Sequence, residues 1–157
     1  FAGNDLKPFQ SERIVFKIDE KIVQMQRAKK SEFLQSSVNQ NFKDSEILEK
    51  HRGWEESYLS DLLKAKLNVT SEKVTARTNR EALLWHFPMP EGMNKQVDHQ
   101  VFLTTVIGEQ VLILNYSVEK GDTVANATKY LIESMNTLKV SDKPIDVKAL
   151  QEEIRKG

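Results

Sequence analysis

Three histidines are the residues of this chain best suited to acid–base chemistry or metal binding. The imidazole ring changes charge near neutral pH and is a common ligand of transition metals. His51, His86 and His99 lie far apart in the sequence, and none has a second histidine three or four positions away, the spacing at which one helix presents two zinc ligands. The spacing therefore predicts no metal site and no cofactor.

A histidine–aspartate pair is the arrangement that would support an enzyme. If a strand over 82–87 pairs antiparallel with the strand that follows it, His86 comes to lie opposite Asp98, and Trp85 opposite His99. A carboxylate beside an imidazole raises its basicity, so a small His/Asp-dependent hydrolase or a metal-dependent enzyme is the alternative function. A polar cross-strand pair explains the same residues without chemistry, and the sequence offers no nucleophile to go with them. We therefore predict no catalytic residue.

The segment from Phe87 to Asn94 combines an aromatic residue, two prolines and two methionines in a connection that is long for a hairpin. Methionine and aromatic side chains on a restrained loop can form a recognition surface for a protein partner or a small ligand. They can equally fold inward and plug the end of the core, and this interpretation comes first because surface methionines carry no unique signature. The candidate ligand-binding residues are Trp85, Phe87, Met89 and Met93.

Composition excludes several classes of protein. The 157 residues suit one domain, and 23 basic residues balance 23 acidic ones, so no overall basic field exists to grip nucleic acid. Cysteine is absent, which excludes disulfides and thiolate chemistry. The glycines are too scattered for a phosphate-binding loop, Gly-x-Ser-x-Gly is missing, and no apolar run is long enough to span a membrane.

Helix-like periodicity dominates the first half of the chain. From Asp44 to about Leu67, an apolar stripe recurs at helical spacing and is expected to pack on the rest of the fold. It consists of Trp54, Tyr58, Leu62 and Ala65, and Leu59 and Leu63 widen it. Gly53 allows the helix to begin there after a separate short turn.

The segment 13–28 fits two patterns. Ile14, Phe16 and Ile18 alternate as in a strand, whereas Ile18, Ile22 and Met25 line one face of a helix. The pattern continues through good helix formers, so we predict a helix.

Alternating β-branched and aromatic residues dominate the second half. Strands are predicted over 72–77 and 82–87, and the clearest unit is a hairpin from Val97 to Val118. Its turn, Gly108-Glu109, suits a type II′ geometry that sets Ile107 opposite Gln110. Because both faces of this hairpin are apolar, it should lie at the centre of a sheet with cover on both sides.

Two helices are predicted to follow the hairpin. The first runs over 124–138 with Asp122 or Thr123 as its N-cap, and a last short helix covers 146–156.

The order "ALLWHFPMP", "QVFLTTVIGEQVLILNYSVEKGD" and "TVANATKYLIESMNTLKV", which spans Ala82 to Val140, resembles the PsbP-like fold. That fold is named for an extrinsic subunit of photosystem II, and bacterial cell-envelope proteins share its pattern. The resemblance implies an α+β fold, with a central antiparallel sheet and helices on both faces (an α/β/α sandwich). It also implies a role in binding or assembly without chemistry of its own.

We therefore expect one domain over 1–157, with a poorly ordered N-terminus over about 1–11, where Pro8 argues against regular structure. The chain starts at Phe1 without methionine, as expected after removal of a signal peptide or a tag. The expected function is a non-catalytic exported, periplasmic or cell-envelope domain that binds a protein partner or small ligand. A cytoplasmic location and a purely structural subunit of an assembly are the alternatives.

Overall fold

The computed structural model describes residues 14–18, 21–35, 41–77, 79–143, 146, 148, 149 and 152. Over these residues the strands are β1 (Ile14–Ile18), β2 (Lys21–Lys29), β3 (Thr70–Thr75), β4 (Glu81–Pro88), β5 (Val97–Ile107) and β6 (Gln110–Glu119). The helices are α1 (Lys30–Phe33), α2 (Asp44–Leu63) and α3 (Val124–Asn136). The strands form one antiparallel sheet in the order β1-β2-β6-β5-β4-β3.

The predicted hairpin of β5 and β6 is confirmed and occupies the centre of the sheet. Ile107 pairs with Gln110, and the register continues as predicted to Val101 opposite Tyr116. Gly108 has φ +55°, the positive value that the first turn position of a type II′ hairpin requires and that glycine adopts without steric cost. Local turn chemistry therefore fixed this register.

The sheet separates two hydrophobic clusters, one on each face. The α3 core comprises Val23, Ala76, Ala82, Leu84, Val101, Leu103, Leu114, Tyr116, Val118, Ala127, Leu131 and Met135. The α2 core comprises Ala28, Ile47, Leu48, Leu67, Leu83, Trp85, Phe87, Phe102, Val106, Val111 and Ile113. Because α3 contacts β5 and β6 from one side while α2 contacts β4 and β5 from the other, the predicted α/β/α sandwich is confirmed.

The predicted helix over 13–28 is wrong. The described part of that segment forms β1 and β2, which pair with each other, and β2 also pairs with β6 from Val23 opposite Tyr116 to Lys29 opposite Gln110. Val23 lies in the α3 core and Ala28 in the α2 core, as the alternation of a strand between two covered faces requires. This pairing gives hydrogen-bond partners to the backbone N–H and C=O groups along one side of β6. A helix in this place would leave those groups without partners from the sheet.

The predicted register between β4 and β5 is also wrong. His99 lies opposite Pro88, His86 opposite Val101, and Trp85 opposite Phe102. In this register the Trp85 and Phe102 rings stack in the α2 core with their centroids 4.0 Å apart. Aromatic packing of this kind outweighs a polar pair at the strand ends.

The two remaining helices follow the sequence closely. α2 ends at Leu63, and its C-cap Lys64 has a left-handed backbone with φ +51°. The N-cap of α3 is Thr123, whose hydroxyl accepts a hydrogen bond of 3.1 Å from the backbone N–H of Asn126. The prediction for 1–11 lies outside the described residues, as does most of that for 146–156.

Candidate functional site

The histidine–aspartate pair of the enzyme hypothesis does not form. His86 lies opposite Val101, and Asp98 is exposed at the start of β5, where its carbonyl accepts a 2.8 Å hydrogen bond from the backbone N–H of Met89. The ring of His86 instead neighbours that of His99, with 6.3 Å between centroids. Burial, together with the nearby His99, lowers the pKa of His86. Among the described residues no group of three or more His, Cys, Asp or Glu side chains is placed to hold a metal ion.

The predicted ligand-binding residues fall into two groups. Trp85 and Phe87 are 0% and 1% exposed, and both rings stack near Phe102 in the α2 core. Met89 is half-buried against the same core, as the plug interpretation expects, whereas Met93 is 49% exposed. In this structure Met93 is therefore the member of the set that offers most of its side chain to a ligand.

The loop that carries Met93 is held at both ends. Met93 N–H donates to the Pro90 carbonyl (3.2 Å) through a turn in which Gly92 has φ +79°. The side-chain carbonyl of Asn94 accepts hydrogen bonds from the N–H groups of Gln96 (2.8 Å) and Val97 (3.2 Å). These bonds fix the direction in which the loop leaves the sheet.

The apolar stripe of α2 is the most prominent exposed feature among the described residues. Trp54 is 40% exposed, Tyr58 55% and Leu62 61%, at successive intervals of four residues. The prediction that this stripe packs against the rest of the fold is therefore wrong for Tyr58 and Leu62, whereas Leu59 and Leu63 pack on the α2 core. The sheet-facing side of α2 is carried by Leu48, which is fully buried, and by the half-buried Leu59.

The stripe continues a line of buried residues on the first part of α2. Ile47 and His51 precede Trp54 at helical spacing and are buried. Phe33, at the end of α1, contacts both rings of this line, with centroids 5.2 Å from His51 and 6.1 Å from Trp54. Among the described residues this cover does not continue beyond Trp54, and Tyr58 and Leu62 are more than half exposed.

Sequence reasoning missed this surface because it treated the whole stripe as core. The apolar residues of α2 extend from Ile47 through Trp54 and Tyr58 to Leu63, and together they wrap an arc wider than the roughly 100° that one packed face requires. An apolar arc of excess width is the sequence property that indicates a second contact surface.

The charges near the stripe are unevenly distributed. Asp61 is exposed on one flank of Tyr58, and Glu55 lies on the other flank with its side chain 18% exposed. The ammonium group of Lys50 lies 4.9 Å from the centroid of the Phe42 ring. Asp61 is thus an exposed carboxylate on one flank of the exposed half of the stripe.

His51 is the buried titratable group beneath the stripe. It is 0% exposed, and neither ring nitrogen has a hydrogen-bond partner among the described residues. Burial lowers the pKa of His51 to about 4, so the ring is neutral at pH 7. Its Nε2 atom lies 3.7 Å from Oε1 of Glu55.

A second buried polar group lies on the opposite face, at the start of α3. The Tyr116 hydroxyl donates to Oδ2 of Asp122 (2.7 Å), which also lies 3.2 Å from Nζ of Lys21. Oδ1 of Asp122 accepts from the N–H of Thr123 (2.8 Å) and the side-chain amide of Asn126 (3.1 Å). These donors hold the pKa of Asp122 well below its usual range, while burial and the neighbouring carboxylate raise the pKa of Tyr116. The satisfied bonds indicate a structural role.

A cavity of about 190 Å³ lies between the start of α2 and the β3–β4 hairpin. Leu48 and Leu83 line it together with Lys73 and Glu81. It is smaller than the roughly 300–1,000 Å³ typical of small-molecule sites. We therefore place the candidate site on the exposed stripe of α2.

No helix among the described residues has the length and apolar character needed to cross a membrane. No protein-family model and no curated protein matches this chain. A search of solved structures found a likeness to cyanobacterial PsbP (CyanoP) from Synechocystis sp. PCC 6803, solved in solution. The TM-score is 0.46 and the sequence identity 11%, over 84% of this chain and 76% of the other. The likeness is one of fold alone.

Proposed function

We propose that this chain is a non-catalytic binding domain that takes up an apolar, aromatic segment of a partner protein along the exposed stripe of α2. The observation that carries the proposal is the exposure of Trp54, Tyr58 and Leu62 side by side on one helix face. Single exposed apolar residues are common on monomeric proteins, whereas contiguous apolar patches mark contact surfaces. Trp and Tyr are also the residues that most often dominate the energy of protein interfaces.

The kind of partner segment that fits is indicated by Phe33, which covers the adjoining part of the same face of α2. Phe33 lies against His51 and Trp54, so an aromatic side chain on a short segment already packs beside this helix. A partner segment that continues this contact toward Leu62 would bury the rest of the stripe. Full burial of a large apolar side chain is worth roughly 1.5–3 kcal/mol, and Tyr58 and Leu62 still expose more than half of theirs.

Charge adds to the chemistry of the partner segment. The carboxylate of Asp61 is exposed beside Tyr58. A segment with a basic residue beside its apolar anchors complements this flank of the stripe.

Site-specific photo-crosslinking in the source cells tests the proposal. A crosslinking residue at Tyr58 is expected to capture one protein, and the same residue at Ile22, which is also 55% exposed, serves as the control. The captured protein is then purified, and its dissociation constant is measured for the wild type and for the variant Trp54→Ser with Leu62→Ser. Loss of two interface anchors is expected to weaken binding at least about 30-fold, equivalent to roughly 2 kcal/mol.

Three outcomes would overturn the proposal. The first is equal capture from Tyr58 and from Ile22, the second is binding unchanged by the double variant, and the third is crosslinking of the chain to itself. Crosslinking from Met93 alone would assign recognition to the loop after β4, which is the second candidate because Met93 is 49% exposed on a restrained turn.

An exported or cell-envelope setting belongs to the same proposal. The absence of cysteine is compatible with it, because a fold without thiols does not depend on the redox state of its compartment. Fractionation of the source cells, with the chain detected by antibody, tests this part. Recovery with cytoplasmic markers alone would overturn it.

A further inference from the structure

His51 lies where the covered and uncovered parts of the α2 stripe meet. Its ring is edge-on to Phe33 (5.2 Å between centroids, 76° between planes) and tilted against Trp54 (6.0 Å). Both ring nitrogens are buried without a hydrogen-bond partner among the described residues. A neutral ring tolerates this site at a modest cost, whereas a charged ring would be buried without sufficient solvation.

The charged groups around His51 lie on α2 and α1. On α2 itself Glu55 lies 3.7 Å away, and the guanidinium of Arg52 is held by Glu49 and Glu56.

On α1 the carboxylate of Glu32 accepts the N–H of Lys29 (2.6 Å), and the ammonium of Lys30 lies 4.0 Å from Glu109. The sheet surface beneath α2 contributes apolar side chains to the α2 core, including Leu83 and Val111.

We propose that His51 is a proton-operated latch on the α2 stripe. The neutral ring keeps Phe33 packed against Trp54, and protonation draws the ring toward Glu55 and water, releases Phe33 and extends the exposed stripe toward the N-terminus of the helix. This regulation rests on the proposed function, since the stripe that it lengthens is the proposed docking surface.

The direction of the response follows from linkage. We call the state in which Phe33 packs against Trp54 closed and the state in which Phe33 is released open. In the closed state burial lowers the pKa of His51 to about 4, whereas a solvated histidine has a pKa of about 6.5. The closed state therefore binds fewer protons, and acid favours the open state. The ratio of open to closed molecules is expected to rise by up to about tenfold per pH unit between pH 6.5 and 4, and by roughly 300-fold over the whole titration.

Fluorine NMR of the protein labelled with 5-fluorotryptophan tests the latch, because Trp54 and Trp85 each give one resonance. Between pH 7.5 and 4 the Trp54 resonance is expected to shift, while that of Trp85, which is fully buried in the α2 core, stays in place. His51→Phe retains an aromatic ring that cannot be protonated and is expected to abolish the shift. His99→Gln, a matched substitution away from α2, is expected to retain it.

A Trp54 resonance that does not respond to pH would overturn the latch, as would a shift that survives His51→Phe or that Trp85 shares. If His51→Phe does not fold, the titration of the His51 ring nitrogens in the wild type provides the measurement. A midpoint within about half a pH unit of the Trp54 shift supports the latch, and a larger difference overturns it.

These outcomes separate the latch from the proposed function. A pH-independent Trp54 together with partner binding that is lost in the double stripe variant overturns the latch alone. A pH-dependent Trp54 together with partner binding that the double variant leaves unchanged overturns the proposed function alone.

Discussion

Removal of the Tyr116 hydroxyl tests the buried network at the start of α3. Tyr116 is 2% exposed, and its hydroxyl donates a 2.7 Å hydrogen bond to Asp122, whose side chain is 7% exposed. A hydrogen bond to a charged group contributes about 1.5–3 kcal/mol, so Tyr116→Phe is expected to lower the free energy of unfolding by about that amount. Urea unfolding followed by circular dichroism at pH 7 measures the loss, and for a chain of 157 residues the thermal midpoint should fall roughly 2–4 °C per kcal/mol.

Tyr130→Phe is the matched control. The Tyr130 ring stacks on that of Tyr116 with 6.1 Å between centroids, but Tyr130 is only partly buried, so loss of its hydroxyl should change stability by less than about 0.5 kcal/mol. Equal losses in the two variants, or a loss below about 0.5 kcal/mol in Tyr116→Phe, would refute the reasoning.

The same network predicts a pH dependence. The hydrogen bond from Tyr116 and the other donors hold the pKa of Asp122 below the value of about 3.9 that it has when unfolded. The folded state therefore binds fewer protons at acid pH, so the contribution of Asp122 is complete above about pH 5 and is lost as the pH falls through 4 and below. Asp122→Asn is expected to flatten the stability profile in that range, and an unchanged slope would contradict the assignment.

Gly108→Ala places a side chain at φ +55° and should destabilise the protein by about 1 kcal/mol. Gly53 lies in a helix, and a side-chain carbon added there meets nothing within 4 Å, so Gly53→Ala should stabilise the protein by up to about 1 kcal/mol. Thermal unfolding of the two variants gives both signs, and a stabilising Gly108→Ala would contradict the turn geometry. Met89→Ser should lower stability by about 1–2 kcal/mol, because Met89 packs on the α2 core, while Met93→Ser should stay within about 0.5 kcal/mol. Urea midpoints separate the two, and equal losses would show that Met93 also belongs to the core. Amide exchange should be slowest in β5 and β6, and fast exchange throughout them would contradict their central position.

The elements that the sequence predicted correctly are those whose geometry is set within a few residues. Gly108 fixes the turn, and the register set there continues from Ile107 to His99 opposite Val118, beyond which it shifts before Val97. Thr123 caps α3, and the helical spacing of Ala127, Leu131 and Met135 selects the face that packs on the sheet.

The elements that it missed involve a choice between two locally acceptable arrangements. The segment 13–28 fits the periodicity of a strand and that of a helix. The strand forms because β2 pairs with backbone groups of β6 that would otherwise lack partners. The sequence allows several registers between β4 and β5, because it does not set the length of the loop that joins them. The stacking of Trp85 on Phe102 selected one of these registers. That choice also separated His86 from Asp98, so the predicted histidine–aspartate pair does not form.

The sequence by itself determined the central hairpin, the capped helix α3 and the sheet with apolar residues on both faces. These features depend on turn residues and on the spacing of apolar residues, which involve near neighbours in the chain. Only the tertiary structure decided which edge of the broad apolar arc on α2 faces the sheet. That edge depends on where β4, β5 and Phe33 lie in space, and the result is that Leu48 is buried while Tyr58 and Leu62 face water. The candidate site is thus the part of an amphipathic helix that the described part of the fold does not cover.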